Sequence, residues 1–236
     1  MIAGVDIAAN IARVSDSIAE AAVRAGRRPD EITLVGVSKT QAAEAVAEAV
    51  RAGLRHIGEN RVQEAAAKFP LVRSALAGVD QPVYHMVGHL QSNKAADAVS
   101  LFDRVDSVDS LKLAHALSRR LPEGVELPVL IEVYVGPDPS RPGVRPDQLV
   151  DVVGRVLDVP GVRVLGLMTV APLGVDARPA FAQVNALKLE MAAAFPAVHF
   201  GVLSMGMSDD YVEAIQEGST EVRVGTALFG PRKPRF

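Results

Sequence analysis

Residues 32–58 read ITLVGVSKTQAAEAVAEAVRAGLRHIG. The apolar run Ile32-Thr33-Leu34-Val35-Gly36-Val37 reads as a strand buried on both faces, as in a parallel sheet. Gln41–Ala52 is Ala-rich and helical, and Leu54–Gly58 is a second short strand. Such a β-α-β unit calls for a parallel sheet. Lys39 follows the first strand at its C-terminal end, where parallel α/β proteins bind ligands. A lysine beside an apolar pocket loses solvation of its ammonium, and the free amine is a nucleophile able to form a Schiff base with an aldehyde. Two readings of Lys39 stand at this point: that nucleophile, or a solvated residue in a βα turn. Of the six lysines, at 39, 68, 94, 112, 188 and 233, only Lys39 and Lys94 fall near strand ends.

The alternation continues outward from this unit. Arg61–Lys68 is helical, Val83–Gly88 a strand, Lys94–Ser100 helical and Phe102–Val108 a strand. Ser110–Arg120 is helical with Ser110 as its cap, and Pro128–Val135 is the most continuously apolar strand. Asp147–Leu157, Pro179–Phe195 and Asp209–Glu217 are helical, with strands at Val162–Val170, Val198–Leu203 and Glu221–Thr226 between and after them. Ahead of all this, Ile7, Ile11, Val14, Ile18 and Ala22 form one helical stripe that Asp6 can cap and Gly26 can end. Eight strands alternating with helices predict a closed (β/α)8 barrel of TIM type, preceded by an extra N-terminal helix, with residues 1–236 forming one domain. Gly136–Pro146, rich in Pro and Gly, is expected to be a mobile surface loop.

Composition narrows the function classes. The hydrophobic fraction of 49% supplies ample core for 236 residues. With no cysteine, disulfides, thiolate metal sites and a cysteine nucleophile are excluded, which fits a cytoplasmic protein. A net charge of −3 with interspersed signs suggests neither a nucleic-acid nor a membrane surface. No apolar run is long enough to span a bilayer, and residues 1–10 do not read as a signal peptide.

Barrels of this type place active groups after their strands and often bind phosphate after strands seven and eight. Here those loops are Leu203-Ser204-Met205-Gly206-Met207-Ser208-Asp209-Asp210 and Arg223-Val224-Gly225-Thr226-Ala227-Leu228-Phe229-Gly230. Glycines let backbone approach a ligand closely, and N–H groups at a helix start face an anion. The dipole alone contributes only about 0.3–1 kcal/mol per charge, so tight binding needs several N–H and hydroxyl bonds together. Taken singly, Ser208 and Thr226 can be simple helix caps; in adjacent loops of one barrel they point to phosphate. Arg223, inside the last strand, either serves the site or pairs outward with a helix carboxylate. His85 and His89 have a spacing that holds zinc on a helix, but Gly88 ends a strand between them, so no metal is expected and a polar rim or cofactor contact is preferred. No P-loop and no Gly-x-Gly-x-x-Gly after a strand is found.

The ordered set Val37-Ser38-Lys39-Thr40, Gly58-Glu59-Asn60-Arg61-Val62-Gln63-Glu64, His85 with Gly88–Lys94, Gly166–Pro172, Leu203–Ser208 and Gly218–Thr226 resembles the pyridoxal-phosphate homeostasis proteins, relatives of the alanine racemase N-terminal barrel. The resemblance implies a single barrel that binds pyridoxal 5′-phosphate. It implies that Lys39 carries the cofactor as a Schiff base and that Arg223 faces the pyridine nitrogen. Ser204, Ser208, Gly225 and Thr226 match its phosphate-binding segments, and Asn60 and His85 match residues lining the pocket. Two positions depart from the family pattern: Tyr134, where Asn is common, and Arg141, where Lys is common.

Pyridoxal phosphate supplies an electron sink whose pull the protein tunes. An arginine at the ring nitrogen disfavours the protonated ring and argues against aminotransferase or decarboxylase chemistry. In alanine racemases a second base, a tyrosine, comes from another domain. None of Tyr84, Tyr134 and Tyr211 matches it, and the sequence ends soon after the last strand. The expectation is therefore an intracellular carrier or regulator of the cofactor, a monomer serving pyridoxal-phosphate-dependent apo-enzymes, without a substrate reaction of its own. The alternatives are a single-domain amino-acid racemase and a barrel that binds a phosphosugar or flavin phosphate and uses Lys39 for charge alone.

Overall fold

The computed structural model describes residues 5–138, 140–172 and 174–231. Eight parallel strands close in chain order: β1 (Thr33–Val37), β2 (His56–Glu59), β3 (Val83–Met86), β4 (Arg104–Val108), β5 (Leu127–Glu132), β6 (Val162–Met168), β7 (Val202–Ser204) and β8 (Glu221–Val224). Thr33 to Gly36 of β1 pair in register with Glu221 to Val224 of β8, which shuts the barrel. This is the α/β barrel of TIM type, with its extra N-terminal helix, that the sequence predicts.

That helix, α1 (Ile7–Arg24), begins where the Asp6 carboxylate accepts the Ala9 N–H at 2.9 Å. Its stripe of Ile7, Ile11, Val14, Ile18 and Ala22 is buried. Each fully buried Ile or Val contributes about 1.5–3 kcal/mol, so this stripe, not helix propensity, holds α1 in place. The outer ring continues with α2 (Ala43–Arg51), α3 (Val62–Ala75), α4 (Ala95–Leu101), α5 (Leu111–Ser118), α6 (Leu149–Leu157), α7 (Arg178–Ala194), α8 (Tyr211–Gln216) and the short α9 (Thr226–Phe229). By packing on α2, α8 and α9, α1 covers the seam where β8 meets β1. No helix among the described residues is long and apolar enough to cross a membrane.

Several boundaries differ from expectation for physical reasons. α3 runs on past Lys68 and through Pro70, because Phe69, Val72 and Leu76 are buried beneath it. Their burial offsets the backbone bond that an interior proline removes. β7 is only three residues long, since Val198 N–H turns back to Phe195 O at 2.9 Å. β5 stops at Glu132, and Val133 instead bridges Val144 of its own following loop. The Gly136–Pro146 loop is tied further by Arg145, whose guanidinium donates to Gly136 O at 3.1 Å and Asp138 O at 2.8 Å. Strand eight ends at Val224, and Thr226 belongs to α9 instead.

Most of the core lies between strands and helices. The barrel interior, usually filled by apolar layers, holds a charged layer here. Arg104 of β4 reaches across to Glu221 of β8, donating to Oε1 at 2.6 Å. These strands are not neighbours, so the bond crosses the interior. The same guanidinium grips Asp106 through two bonds of 2.6 and 3.0 Å. Asp106 also accepts from His85 Nδ1 at 3.0 Å, and His85 Nε2 meets His56 Nδ1 at 2.9 Å. Each ring nitrogen of His85 thus has a partner within hydrogen-bond distance. Burial, with His85 and Arg104 nearby, pulls His56 down to about 4, so it stays neutral. Despite complete burial, Arg104 and His85 hold the Asp106 carboxyl far below the usual range.

Buried charges of this kind tolerate no unpaired member. Arg104→Leu is expected to cost about 3–5 kcal/mol by stranding Asp106 and Glu221. A urea unfolding midpoint equal to wild type would contradict this account of the interior.

Candidate functional site

A cavity of about 200 Å³ opens at the C-terminal ends of the strands, where βα loops gather. Lys39, just after β1, and Asn60, just after β2, line one part of it. Ser208, Gly225 and Thr226, from the loops after β7 and β8, line another. Arg223 of β8 lines it from within, and Val37, Val87 and Val170 make its wall partly apolar. Six residues from four separate stretches of the chain therefore converge because each lies in or just after the C-terminal end of a strand of one closed barrel.

Arg223 is 4% exposed and fixed by two bonds of 2.8 Å, from Nη1 to Ser204 Oγ and from Nη2 to Thr169 O. Burial lowers its pKa, while Glu221, Asp106, Glu132 and Asp210 oppose that. A guanidinium is a donor without an acceptor, so a ring nitrogen placed against it accepts a hydrogen bond and carries no proton of its own. Gly206 lets the loop after β7 reach this arginine: its φ is +92°, and a Cβ there would lie 2.9 Å from Tyr211 Cα. Its carbonyl then accepts the Arg223 N–H at 3.0 Å.

In the loop after β7, Ser208 Oγ accepts from Gly225 N at 3.3 Å and from Ala227 N at 3.5 Å. Ser208 thus caps the start of α9 from a neighbouring loop, whereas Thr226 lies exposed within that helix. A side chain at Gly225 would press its Cβ to 3.2 Å from Val37 O, so glycine keeps this part of the cradle open. The Asn60 Oδ1 atom is buried without a hydrogen-bond partner among the described residues, and Asn60 borders the cavity. An amine, a guanidinium, a cluster of hydroxyl and N–H groups and an unsatisfied amide fit the aldehyde, ring nitrogen, phosphate and polar ring edge of pyridoxal phosphate.

Two expected residues lie outside this lining. Ser204 is fully buried and holds Arg223. His85 is fully buried between His56 and Asp106 in the interior layer. His89 is instead exposed and pairs with Asp109 at 3.1 Å, so the two histidines belong to separate networks. His85, Asp106 and Glu221 lie close enough to share a cation. Arg104, gripping both carboxylates, already supplies that positive charge. Tyr134 is buried under Arg145, whose guanidinium carbon is 4.7 Å from the ring centre, and does not line the cavity. Arg141 borders a second cleft of about 640 Å³ together with His89, Asp109 and Gly143.

Sequence reasoning missed Glu132, the last residue of β5. It is 8% exposed, and its Oε2 has no hydrogen-bond partner among the described residues. Burial, reinforced by Asp109 and opposed by Arg223, His89 and Arg141, raises its pKa to about 7. An acid ending the apolar run Leu127-Pro128-Val129-Leu130-Ile131 was the available signal. The raised value means that folding favours the protonated carboxyl. Its stabilising effect is complete below 4.5 and lost as pH rises to about 7. Glu132→Gln should therefore raise Tm relative to wild type at pH ~8 and leave it nearly unchanged at pH ~4.5. An equal difference at both pH values would refute the assignment.

Residues 9–233 match the family model for the alanine racemase N-terminal domain. The pyridoxal phosphate homeostasis protein of Escherichia coli is 40% identical, with 96% of this chain and 97% of that protein aligned. That of Pseudomonas aeruginosa is 43% identical, with 96% of each aligned. Among solved structures, PipY of Synechococcus elongatus, determined with pyridoxal phosphate bound, shares 38% identity at a TM-score of 0.82, covering 95% of this chain and all of that one. Alanine racemase of Corynebacterium glutamicum, at 19% identity and TM-score 0.63, shares the fold over 95% of this chain and 61% of its own. The chain belongs to the alanine racemase N-terminal domain family, among its pyridoxal phosphate homeostasis proteins.

Proposed function

We propose that this protein binds pyridoxal 5′-phosphate as a Schiff base on Lys39 and serves intracellular homeostasis of that cofactor as a carrier, without a substrate reaction of its own. The observation that carries the reading is the convergence of Lys39, Arg223 and the Ser208–Gly225–Thr226 cradle on one cavity. The names of its relatives and the pyridoxal phosphate bound to PipY support it.

Lys39 would supply the amine that holds the cofactor's aldehyde, and the bound cofactor would supply an electron sink. The Ser208 hydroxyl and the N–H groups about Gly225 bind the phosphate. Arg223, held by Ser204 and Thr169, would be the hydrogen-bond donor for the ring nitrogen, which would then carry no proton of its own. That setting weakens the cofactor's electron sink and suits storage more than carbanion chemistry. The tyrosines also sit in other surroundings: Tyr84 against Phe69, Tyr134 against Arg145 and Tyr211 with its hydroxyl on Ser17. In this reading the protein is a cytoplasmic monomer whose partners are pyridoxal-phosphate-dependent apo-enzymes.

The test is a visible spectrum of the purified protein with pyridoxal phosphate, before and after borohydride, followed by peptide mapping. Wild type should show a yellow band lost on reduction, with the label on Lys39, and Lys39→Ala should show neither. A protein that stays colourless with the cofactor would sink the reading. Exchange of α-deuterium from alanine that depends on Lys39 would replace the carrier by a racemase.

A further inference from the structure

The turn that carries Lys39 is unusual. Thr40 has a φ of +65°, the one positive value outside glycine among the described residues. A β-branched residue leaves this region unless something holds it there. Here Glu64 of α3 accepts the Thr40 N–H on Oε1. The same oxygen takes Lys68 Nζ at 3.0 Å. Lys68 then donates to Ser38 O at 2.6 Å and to Glu59 Oε1 at 2.5 Å. Glu59 Oε1 also accepts from Ser38 Oγ at 2.6 Å.

Both neighbours of Lys39 are thus gripped: Ser38 by its carbonyl and its hydroxyl, Thr40 by its N–H. One ammonium joins all of these contacts, and its three donors match its three acceptors. Lys68 is 7% exposed and Glu59 is fully buried. Burying such charges is costly. α3 does not need them to dock, because Phe69, Val72 and Leu76 already anchor it. The cluster sits instead between the C-terminal ends of β1 and β2, against the turn that carries Lys39.

We propose that Lys68 is a positioning residue: with Glu59 and Glu64 it holds the Ser38–Thr40 turn in one shape and so aims Lys39 into the cavity. The inference deepens the cofactor reading above and rests on it. Misplacing the amine by about an ångström is enough to weaken capture severely.

The test compares wild type, Lys68→Met, the double variant Lys68→Met/Glu59→Gln, and Glu64→Ala. The single Lys68 change strands two carboxylates and should lower Tm. The double change removes the fully buried charge as well and should restore much of that loss. The measured quantities are the Kd for pyridoxal phosphate, the pH midpoint of the Schiff-base absorption, and the fraction of Lys39 labelled after borohydride. We expect the folded double variant and Glu64→Ala each to bind at least about tenfold more weakly, with a displaced pH midpoint and less label. A purely structural role predicts a lowered Tm in the single variant but wild-type affinity and pH midpoint in the folded double variant, and that result overturns the proposal. Should the double variant not fold, Glu64→Ala decides alone: weakened binding supports the proposal and unchanged binding overturns it. Wild type unlabelled at Lys39 overturns the cofactor reading and this inference together, whereas labelled wild type with unaltered variants overturns the positioning role only.

Discussion

The bond from Arg104 across the barrel to Glu221 is the constraint on which the rest of the molecule depends. It ties β4 to β8, strands that share no backbone pairing, and it gathers Asp106 and His85 into the same buried layer. Charges taken this far from water are tolerable only with every partner in place, so the layer demands closure at one geometry. Glu221 and Arg223 are two residues apart on β8 and face the same side of the sheet. Fixing the first therefore orients the second, and Arg223 rises from the ionic layer to the inner wall of the cavity.

Above that layer the chemistry changes by position along the strands. Ser204 ends β7 and is spent on holding Arg223, while Ser208, four residues later, has left the sheet and meets the N–H groups that open α9. The loop between them turns back at Gly206, where the backbone conformation and the closeness of Tyr211 both call for glycine. Beside β8, β1 delivers Lys39, and α3 reaches the same turn with Glu64 and Lys68. The cavity is a product of strand ends, while Ser204 and Thr169, which hold Arg223, and Glu64 and Lys68, which hold the turn beside Lys39, do not line it.

This arrangement suits a protein that holds a reactive aldehyde. In the proposed reading the Arg223 guanidinium meets the ring nitrogen and weakens the electron sink, beside a wall that Val37, Val87 and Val170 make partly apolar. The relation to alanine racemase of Corynebacterium glutamicum extends over 61% of that chain, so the shared barrel is a scaffold and the chemistry is decided by the residues placed on it.

Much of the fold was legible in the sequence because short apolar runs alternating with helical patterns have few other solutions, and the Lys39 turn follows the first of those runs. That Lys39, Ser208, Gly225 and Thr226 follow strands, with Arg223 inside the last one, was legible for the same reason, and all five line one cavity; the roles toward pyridoxal phosphate expected of them came from the resemblance alone. What each side chain faces was not legible. Neither the ionic layer that absorbs His85 nor the grip of Lys68 on the turn could be read, since their partners come from strands and helices far apart in sequence. Local pattern determined the order of elements and the end of the barrel that would bind. Only the tertiary structure decided which buried charges meet, because pairing energies depend on distances across a closed barrel that no local window contains.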